Sequence, residues 1–250
     1  MNFIHKKEFV KRHWYRPIHN KGDFVFVHGF NSTYFKHIDF LKGIFRLGYN
    51  VYAFDLPNHG ENYDFDKQLS FDEYCKYVID FIKKYNLKKI HIAGHSMGGG
   101  IVSAIQNDKT LNFEKIILID PLNSQAKKIP NLRFLKVLSS VFPIKQYEDF
   151  VAKAKADQSI NTTALLTEIM SPEVLDKVHS GLTNIAIPTQ LVFGEDDNVI
   201  PTETSIKYIK QTIPNNYLKQ ISIIKNAKHS PTHENTTETL KELKAFLKDF

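Results

Sequence analysis

The chain is short of the features that secreted and membrane proteins carry. It has a single cysteine, Cys75, in 250 residues, which excludes an internal disulfide framework and indicates a reducing compartment. No apolar run approaches the length that crosses a bilayer. Residues 1–16 are basic and aromatic but lack the apolar segment of a signal peptide. We therefore expect a cytoplasmic protein with no stable membrane insertion.

Positively charged residues only slightly outnumber negatively charged ones. Lys and Arg number 33 against 27 Asp and Glu, which gives a net charge of +6. The lysines are spread over the outward faces of predicted helices, and no nucleic-acid-binding motif accompanies them, so we predict no nucleic-acid partner. The hydrophobic fraction of 42% is ordinary for a globular domain, and a chain of this length buries a full core unaided.

The chain does contain a regular alternation of short apolar runs and amphipathic helical patterns. The runs that predict strands lie at 24–27, 51–54, 90–93, 115–119, 189–193 and 220–224. Residues 3–18 have room for one or two short edge strands. The alternation predicts an α/β fold, with a mainly parallel central sheet and helices on both faces. In such sheets the functional site lies at the carboxyl ends of the strands.

This alternation lapses between residues 122 and 181, where only short helical patterns occur. We interpret the stretch 122–181 as a helical cap (lid) inserted into a core domain formed by 1–121 and 182–250. Cap residues are expected to shape the substrate pocket, but the sequence does not identify which ones. The same apolar residues are equally suited to a homo-oligomer interface, and the sequence does not distinguish these two uses.

One stretch combines a strand, a sharp turn and a helix around a serine. The buried strand pattern at 90–93 runs into Gly94-His95-Ser96-Met97-Gly98, which has the form G-x-S-x-G, and helical spacing follows from Ile101. The two glycines allow the strand and the helix to approach at the turn, where a Cβ would collide. The pattern predicts that the Ser96 hydroxyl is held above the sheet, beside the positive end of a helix.

Four further motifs end predicted strands: HGF at 28–30, DLPNHG at 55–60, GEDDNVIP at 194–201 and AKHSPTHE at 227–234. With the serine turn, they make the chain resemble the α/β-hydrolase family, in particular its carboxylesterase and monoacylglycerol-lipase-like branch, from about residue 22 onward. The resemblance implies an α/β-hydrolase fold and a triad in the chain order serine, acid, histidine. Asn58 and Lys228 depart from the family pattern, which often has glycine there.

A serine hydroxyl needs a base to accept its proton, and imidazole titrates near neutral pH. The resemblance assigns these roles to Ser96 and His229, with His233 as the alternative base. Three other histidines in turns are expected to pack or hydrogen-bond locally: His28, His59 and His95. A metal site at His229 and His233 is disfavoured, because Pro231 breaks the helix that would bring both to one face. We expect neither a metal nor a cofactor.

A carboxylate must orient the imidazole and stabilise its cation. Glu195, Asp196 and Asp197 are adjacent candidates, and the family spacing, with glycine three positions before and proline four after, selects Asp197. Asp196 is the second choice. Asp120 is an outside candidate because some relatives place the acid after this strand, although a turn at the strand end is the preferred interpretation. Asp55 is expected to be structural.

The tetrahedral oxyanion of acyl transfer needs preorganised hydrogen-bond donors. The resemblance implies the backbone N–H groups of Phe30 and Met97, and Phe30 is also expected to line the acyl pocket. We expect hydrolysis of a small-molecule carboxylic ester with a small to medium acyl chain, through a Ser96 acyl-enzyme. Thioesterase, aminopeptidase and carbon–carbon bond hydrolase activities stay open, as does a non-catalytic ligand-binding protein, because the same residues suit them all.

Overall fold

The computed structural model describes residues 8–11, 21–60, 62, 69–126 and 165–248. Seven strands within these ranges form one sheet in the order β1-β3-β2-β4-β5-β6-β7. Strand β1 pairs antiparallel with β3, and every other neighbouring pair is parallel. The strands are β1 Glu8–Lys11, β2 Asp23–Val27, β3 Asn50–Phe54, β4 Ile90–His95, β5 Phe113–Ile119, β6 Thr189–Gly194 and β7 Leu218–Ile224.

Helices occupy the connections between the strands. The α-helices are α1 Ile38–Arg46, α2 Phe71–Lys84, α3 Met97–Ile105, α4 Pro172–Thr183, α5 Thr202–Thr212, α6 Pro231–Glu234 and α7 Thr236–Lys248. A short 3₁₀ helix at Phe35–His37 precedes α1, and residues 165–169 are also helical. Within the described ranges, no helix is both long enough and apolar enough to cross a membrane.

Both faces of the sheet are covered by helices, so its central strands are buried on both sides. Every residue of β4 and of β6 is buried. Along β2, Val25 and Val27 belong to one hydrophobic cluster, whereas Phe24 and Phe26 belong to a second cluster on the opposite face. This alternation follows from the two-residue period of a strand. The predicted α/β architecture, a mainly parallel sheet with helices on both faces, is confirmed.

Helix α2 shows how local sequence determines where an element begins. The Ser70 hydroxyl accepts a hydrogen bond from the Glu73 N–H, and the Glu73 carboxylate accepts one from the Ser70 N–H at 2.9 Å. This reciprocal pair is a capping box, which satisfies two N–H groups that have no acceptor inside the helix. Further along the helix, the Phe81 ring packs at a tilt against Phe54 of β3, with ring centroids 4.1 Å apart. The cap therefore fixes where α2 begins, and its aromatic side chains hold the helix against the sheet.

The predicted cap at 122–181 stays a prediction, because residues 127–164 lie outside the described part of the chain. The last described helix of that stretch, α4, packs against α3. A Cβ added to Gly181 would lie 2.1 Å from the Ser103 carbonyl oxygen, and Val178 is fully buried in the same cluster as Ile101. Helix α4 is therefore part of the layer that covers the sheet.

The parallel strands β2, β4, β5, β6 and β7 end at the same edge of the sheet, as parallel pairing requires. The residues that follow these strands carry most of the predicted functional groups. They are His28 after β2, Ser96 after β4, Asp120 after β5, Asp197 after β6 and His229 after β7. Side chains that are far apart in sequence thus meet at one edge.

Candidate active site

Ser96 stands at the turn between β4 and α3. Its backbone has φ 53° and ψ −118°, a conformation that non-glycine residues adopt only when surrounding contacts hold it. The Ser96 N–H donates to the Ile119 carbonyl, and the Ser96 carbonyl accepts from the Leu122 N–H, both at 2.9 Å. Ser96 is partly exposed while the residues on either side of it are buried. The turn therefore presents the hydroxyl at the sheet edge, beside the N-terminus of α3.

The two glycines of the serine turn lie where the backbone is too close for a side chain. A Cβ on Gly98 would be 2.2 Å from the Val27 carbonyl oxygen, and a Cβ on Gly94 would be 2.3 Å from the Gly98 carbonyl oxygen. Contacts this short are not tolerated between real atoms, so either alanine would force the turn to move. Glycine at these positions is what allows α3 to start directly above β2.

The loop after β7 carries His229, and the side chains of Glu234 and His95 hold its backbone. The Glu234 carboxylate accepts hydrogen bonds from the Lys228 N–H at 2.7 Å and the Ser230 N–H at 3.1 Å. The His95 Nε2 lies 2.5 Å from the His229 carbonyl oxygen, so this ring nitrogen carries a proton and donates it. Burial, with a smaller effect of nearby His229, lowers the pKa of His95 to about 3, and its ring stays neutral.

His229 bridges the serine and the predicted acid. Its Nδ1 lies 2.7 Å from Asp197 Oδ2, and its Nε2 lies 2.9 Å from Ser96 Oγ. An ionised carboxylate only accepts hydrogen bonds, so Nδ1 carries the ring proton and Nε2 offers its lone pair to the hydroxyl. This geometry allows the imidazole to take the serine proton as the oxygen attacks a substrate.

Asp197 is fixed from three sides. Its Oδ1 accepts hydrogen bonds from the Val199 N–H at 2.7 Å and the Ile200 N–H at 3.0 Å, while Oδ2 faces His229. Burial acts to raise the pKa of Asp197, but His229 and the two N–H groups outweigh it, and the pKa lies below its ordinary value. Asp197 is therefore a carboxylate at neutral pH. The adjacent Asp196 is exposed.

The backbone N–H groups predicted to bind an oxyanion lie near the serine. A Cβ added to Gly29 would be 2.9 Å from the Ser96 Cβ, so the chain passes directly against the nucleophile just before Phe30. Met97 is the first residue of α3, where an N–H has no acceptor within the helix. The Phe30 side chain is buried and meets the His59 ring edge-on, with centroids 6.3 Å apart. Its place in an acyl pocket stays a prediction.

His28 and His59 hydrogen-bond to the backbone of nearby turns. The Leu56 N–H donates to His28 Nε2 at 2.9 Å, which leaves the His28 Nδ1–H to donate to the Gly29 carbonyl. His59 donates through Nδ1 to the Pro57 carbonyl at 2.8 Å. Burial lowers the pKa of His28 well below its ordinary value and that of His59 to about 4. Both rings are therefore neutral supports of the loops that surround Ser96.

Three other residues with reactive side chains make no described hydrogen bond to Ser96. His233, the alternative base, is exposed and makes no described contact with Ser96. Asp55 accepts a hydrogen bond from the Tyr34 N–H at 3.0 Å, which ties two loops together. Cys75 is buried, and burial raises the pKa of its thiol to about 12, so it is unreactive as a nucleophile.

The long-range contact of His95 has no signal in the sequence, whereas the turn at Asn58 does. The sequence predicts a local role for His95, yet its ring reaches the carbonyl of a residue 134 positions away, and no sequence pattern indicates that contact. Asn58, which departs from the family glycine, has φ 58°, in the left-handed region that asparagine tolerates better than most residues. The departure at Asn58 therefore preserves the turn.

One cluster among the described residues brings together three groups of the kind that ligate metals: His95, Asp120 and His229. His229 is committed through both ring nitrogens, one to Asp197 and one to Ser96. His95 donates its Nε2 proton to a backbone carbonyl. Within the described part of the chain, His95 Nδ1 and Asp120 Oδ2 have no hydrogen-bond partner, but both ring nitrogens of His229 are occupied, so the cluster lacks a third free ligand for a cation.

The sheet order, the covering helices and the serine at a strained strand-to-helix turn define an α/β hydrolase. The family described as serine aminopeptidase, S33 (Hydrolase_4) matches residues 18–236, and the chain belongs to this family.

Individual relatives agree with this assignment. The "Putative esterase/lipase 2" of Mycoplasma pneumoniae is 28% identical over 235 residues, which are 87% of this chain and 85% of that protein. A bromoperoxidase from Bacillus anthracis has a similar structure, with a TM-score of 0.75 and 19% identity, covering 97% of this chain and 95% of that chain. A monoacylglycerol lipase from Paleococcus ferrophilus gives a TM-score of 0.67 and 18% identity, covering 98% of both chains. The two structures show the shared fold. The chain is an esterase/lipase-like α/β hydrolase.

Proposed function

We propose that this chain is a serine hydrolase that cleaves carboxylic esters through an acyl-enzyme. Ser96 is the nucleophile, His229 the general base and then the general acid, and Asp197 the carboxylate that orients the imidazole. The observation that carries the proposal is the continuous hydrogen-bonded line from Ser96 Oγ through both nitrogens of His229 to Asp197 Oδ2, with heavy-atom distances of 2.9 and 2.7 Å.

The chemistry follows from where the protons lie. Ser96 Oγ attacks the ester carbonyl carbon while its proton passes to His229 Nε2, and the carbonyl π electrons move onto the oxygen. The tetrahedral oxyanion breaks its bond to the alcohol oxygen, which leaves with the proton from His229. Water then repeats the sequence on the acyl-serine, giving the carboxylic acid and restoring the hydroxyl. Asp197 stabilises the imidazolium in both halves.

The N–H groups of Phe30 and Met97 are proposed to hold the oxyanion. Support comes from the approach of Gly29 to the Ser96 side chain and from the position of Met97 at the first turn of α3. Main-chain donors held by strands and a helix need no reorganisation as charge develops. Removing one such donor costs about 3–4 kcal/mol of transition-state stabilisation in comparable enzymes.

The acyl part of the substrate is proposed to be small to medium in length, with Phe30 and residues of the predicted cap as its contacts. The name of the Mycoplasma relative, which refers to esterases and lipases, supports an ester as the scissile group.

The test is hydrolysis of p-nitrophenyl esters from acetate to laurate by the wild type, Ser96→Ala and Ser103→Ala. Ser103 is the matched control, because its buried hydroxyl lies in α3, the helix that begins directly after Ser96, and donates to the Gly99 carbonyl at 2.8 Å. We expect turnover by the wild type and Ser103→Ala, and a loss of at least about 10³-fold in Ser96→Ala. Equal rates in wild type and Ser96→Ala would remove Ser96 from the mechanism.

Aminopeptidase activity is the second candidate, because the family description names it. The same three proteins are therefore assayed on aminoacyl p-nitroanilides and on an acyl thioester. A kcat/KM for amides above that for every ester would replace the ester assignment with an aminopeptidase one. Tight ligand binding with no turnover of any of these substrates would instead establish a non-catalytic binding protein.

A further inference from the structure

A second carboxyl group lies behind the triad, and the chemistry above does not use it. Asp120 follows β5 and is completely buried, with φ 39°, in the left-handed region. Its N–H donates to the Val192 carbonyl at 2.8 Å, and its Oδ1 accepts from the Gly194 N–H at 3.0 Å. Its Oδ2 has no donor among the described residues. An oxygen of this carboxyl group lies within 4.8 Å of a ring nitrogen of His229, whose Nδ1 is bonded to Asp197, and Asp197 acts on Asp120 both through its charge and as a hydrogen-bond partner.

Two carboxyl groups in contact inside a protein cannot both be ionised at modest cost, so one of them keeps a proton. Asp197 accepts from two backbone N–H groups and from His229, whereas Asp120 accepts from one backbone N–H. Donors stabilise the ionised form, so the negative charge belongs on Asp197 and the proton on Asp120.

The other groups around Asp120 either raise the pKa of its carboxyl group or carry no charge. Burial, followed by the charge and contact of Asp197, raises the pKa of Asp120 well above its ordinary value, and the more distant Glu234 adds to the effect. His95 and His229 also face this carboxyl group. His95 is neutral, since its pKa is lowered to about 3. An ionised Asp120 would therefore have no positive charge beside it to balance its own, which favours the neutral carboxylic acid.

We propose that Asp120 is a positioning residue: a neutral carboxylic acid whose O–H donates to the Asp197 carboxylate and holds it in place for His229. This inference rests on the proposed function, because positioning has a kinetic meaning only if Asp197 acts through His229. Asp120 has no contact with the reacting atoms. Its role is to complete the hydrogen bonding of the buried acid and to tie the end of β5 to the end of β6.

The proposal predicts different kinetics for two substitutions of Asp120. In Asp120→Asn, the amide oxygen still accepts from the Gly194 N–H and the NH₂ group still donates to Asp197, so kcat/KM stays within about threefold of wild type. In Asp120→Leu, both contacts are lost, and kcat falls by roughly tenfold to a hundredfold with KM unchanged. A purely structural role would instead lower the thermal stability of Asp120→Leu and leave kcat per folded molecule at the wild-type value in both variants.

The pH profile tests the charge of Asp120 directly. Exchange of one neutral group for another leaves the midpoint of the acidic limb of kcat/KM unchanged in Asp120→Asn. If Asp120 were ionised in the wild type, removing a negative charge beside the imidazole would lower that midpoint by roughly one unit or more. That shift would overturn the proposal. Loss of activity in Asp120→Asn together with retention in Asp197→Asn would overturn it too, by making Asp120 the acid of the triad.

An infrared difference spectrum of the wild type minus Asp120→Asn, at pH 7, needs no substrate. We expect the C=O stretch of a protonated carboxylic acid to be present in the wild type and missing in the variant. Carboxylate bands in its place would refute the neutral form. If the acid band is found while no ester is hydrolysed, the protonation of Asp120 stands and the proposed function is what fails.

Discussion

Replacing Asp197 by asparagine gives the sharpest test of how the acid works. Val199 and Ile200 donate two N–H groups to Oδ1, so the new side-chain amide can only place its oxygen there. Its NH₂ group then faces His229 Nδ1 and donates to it. The ring proton must move to Nε2, where it points at Ser96 Oγ, and the lone pair that accepts the serine proton is lost.

The magnitude follows from this change of tautomer. The same substitution in a serine protease triad lowers kcat by about 10⁴-fold with its geometry intact, and we expect a comparable loss of ester hydrolysis here. The fold is kept, because both N–H groups retain an acceptor. Asp197→Ala removes that acceptor and costs about 1–3 kcal/mol of stability for each orphaned N–H group. One variant is therefore inactive and stable, and the other is inactive and destabilised.

The assay measures kcat on the best p-nitrophenyl ester together with thermal unfolding of each variant. Asp196→Asn is the control, since it makes the same chemical change one residue away at an exposed site. We expect it to match the wild type in both measurements. Activity of Asp197→Asn within tenfold of wild type would refute the assignment of the acid and the tautomer reasoning together.

Two further predictions concern the serine turn and the buried histidines. Gly98→Ala places a Cβ 2.2 Å from the Val27 carbonyl oxygen, and the resulting displacement of Ser96 should lower kcat by about 100-fold. Gly100→Ala is the control, because the nearest contact of its added Cβ is 3.2 Å. Equal activity of the two variants would contradict the packing argument. In the described ranges, five buried histidines have lowered pKa values when folded, namely His28, His37, His59, His91 and His95. Below about pH 6.5 the unfolded chain binds more protons than the folded one. As the pH is lowered, the free energy of unfolding therefore decreases by up to about 1.4 kcal/mol per pH unit for each histidine. A melting temperature that stays constant between about pH 4 and 6.5 would contradict this expectation.

The sheet and the position of the serine could be predicted because their signals are local. Glycines around Ser96 and apolar runs of strand length identify the turn and the strands without knowledge of which strands are neighbours. The spacing of the 194–201 motif also selects Asp197, and the structure shows why adjacent acids differ: Asp197 points into the protein and Asp196 lies exposed. The choice between them rests on the spacing found in the family that the chain resembles, and the assignment of Asp197 as the acid stays a prediction.

The contacts around the triad could not be predicted in the same way. Asp120 meets Asp197 because β5 and β6 are neighbours in the sheet with Ile119 opposite Val192, which is a property of the folded topology. Likewise, His95 reaches the carbonyl of His229 only because β4 and the loop after β7 end at one edge. No spacing within a single motif encodes either distance. The predicted cap depends on residues 127–164, which lie outside the described ranges.

Covalent trapping of the acyl group tests the central claim most directly. The wild type is mixed with p-nitrophenyl butyrate, quenched in acid within the first turnovers, digested and examined by mass spectrometry. We predict a butyryl adduct on the peptide that contains Ser96, absent from Ser96→Ala and retained in Ser103→Ala. Steady hydrolysis with no adduct, or with an adduct at another residue, would contradict a Ser96 acyl-enzyme.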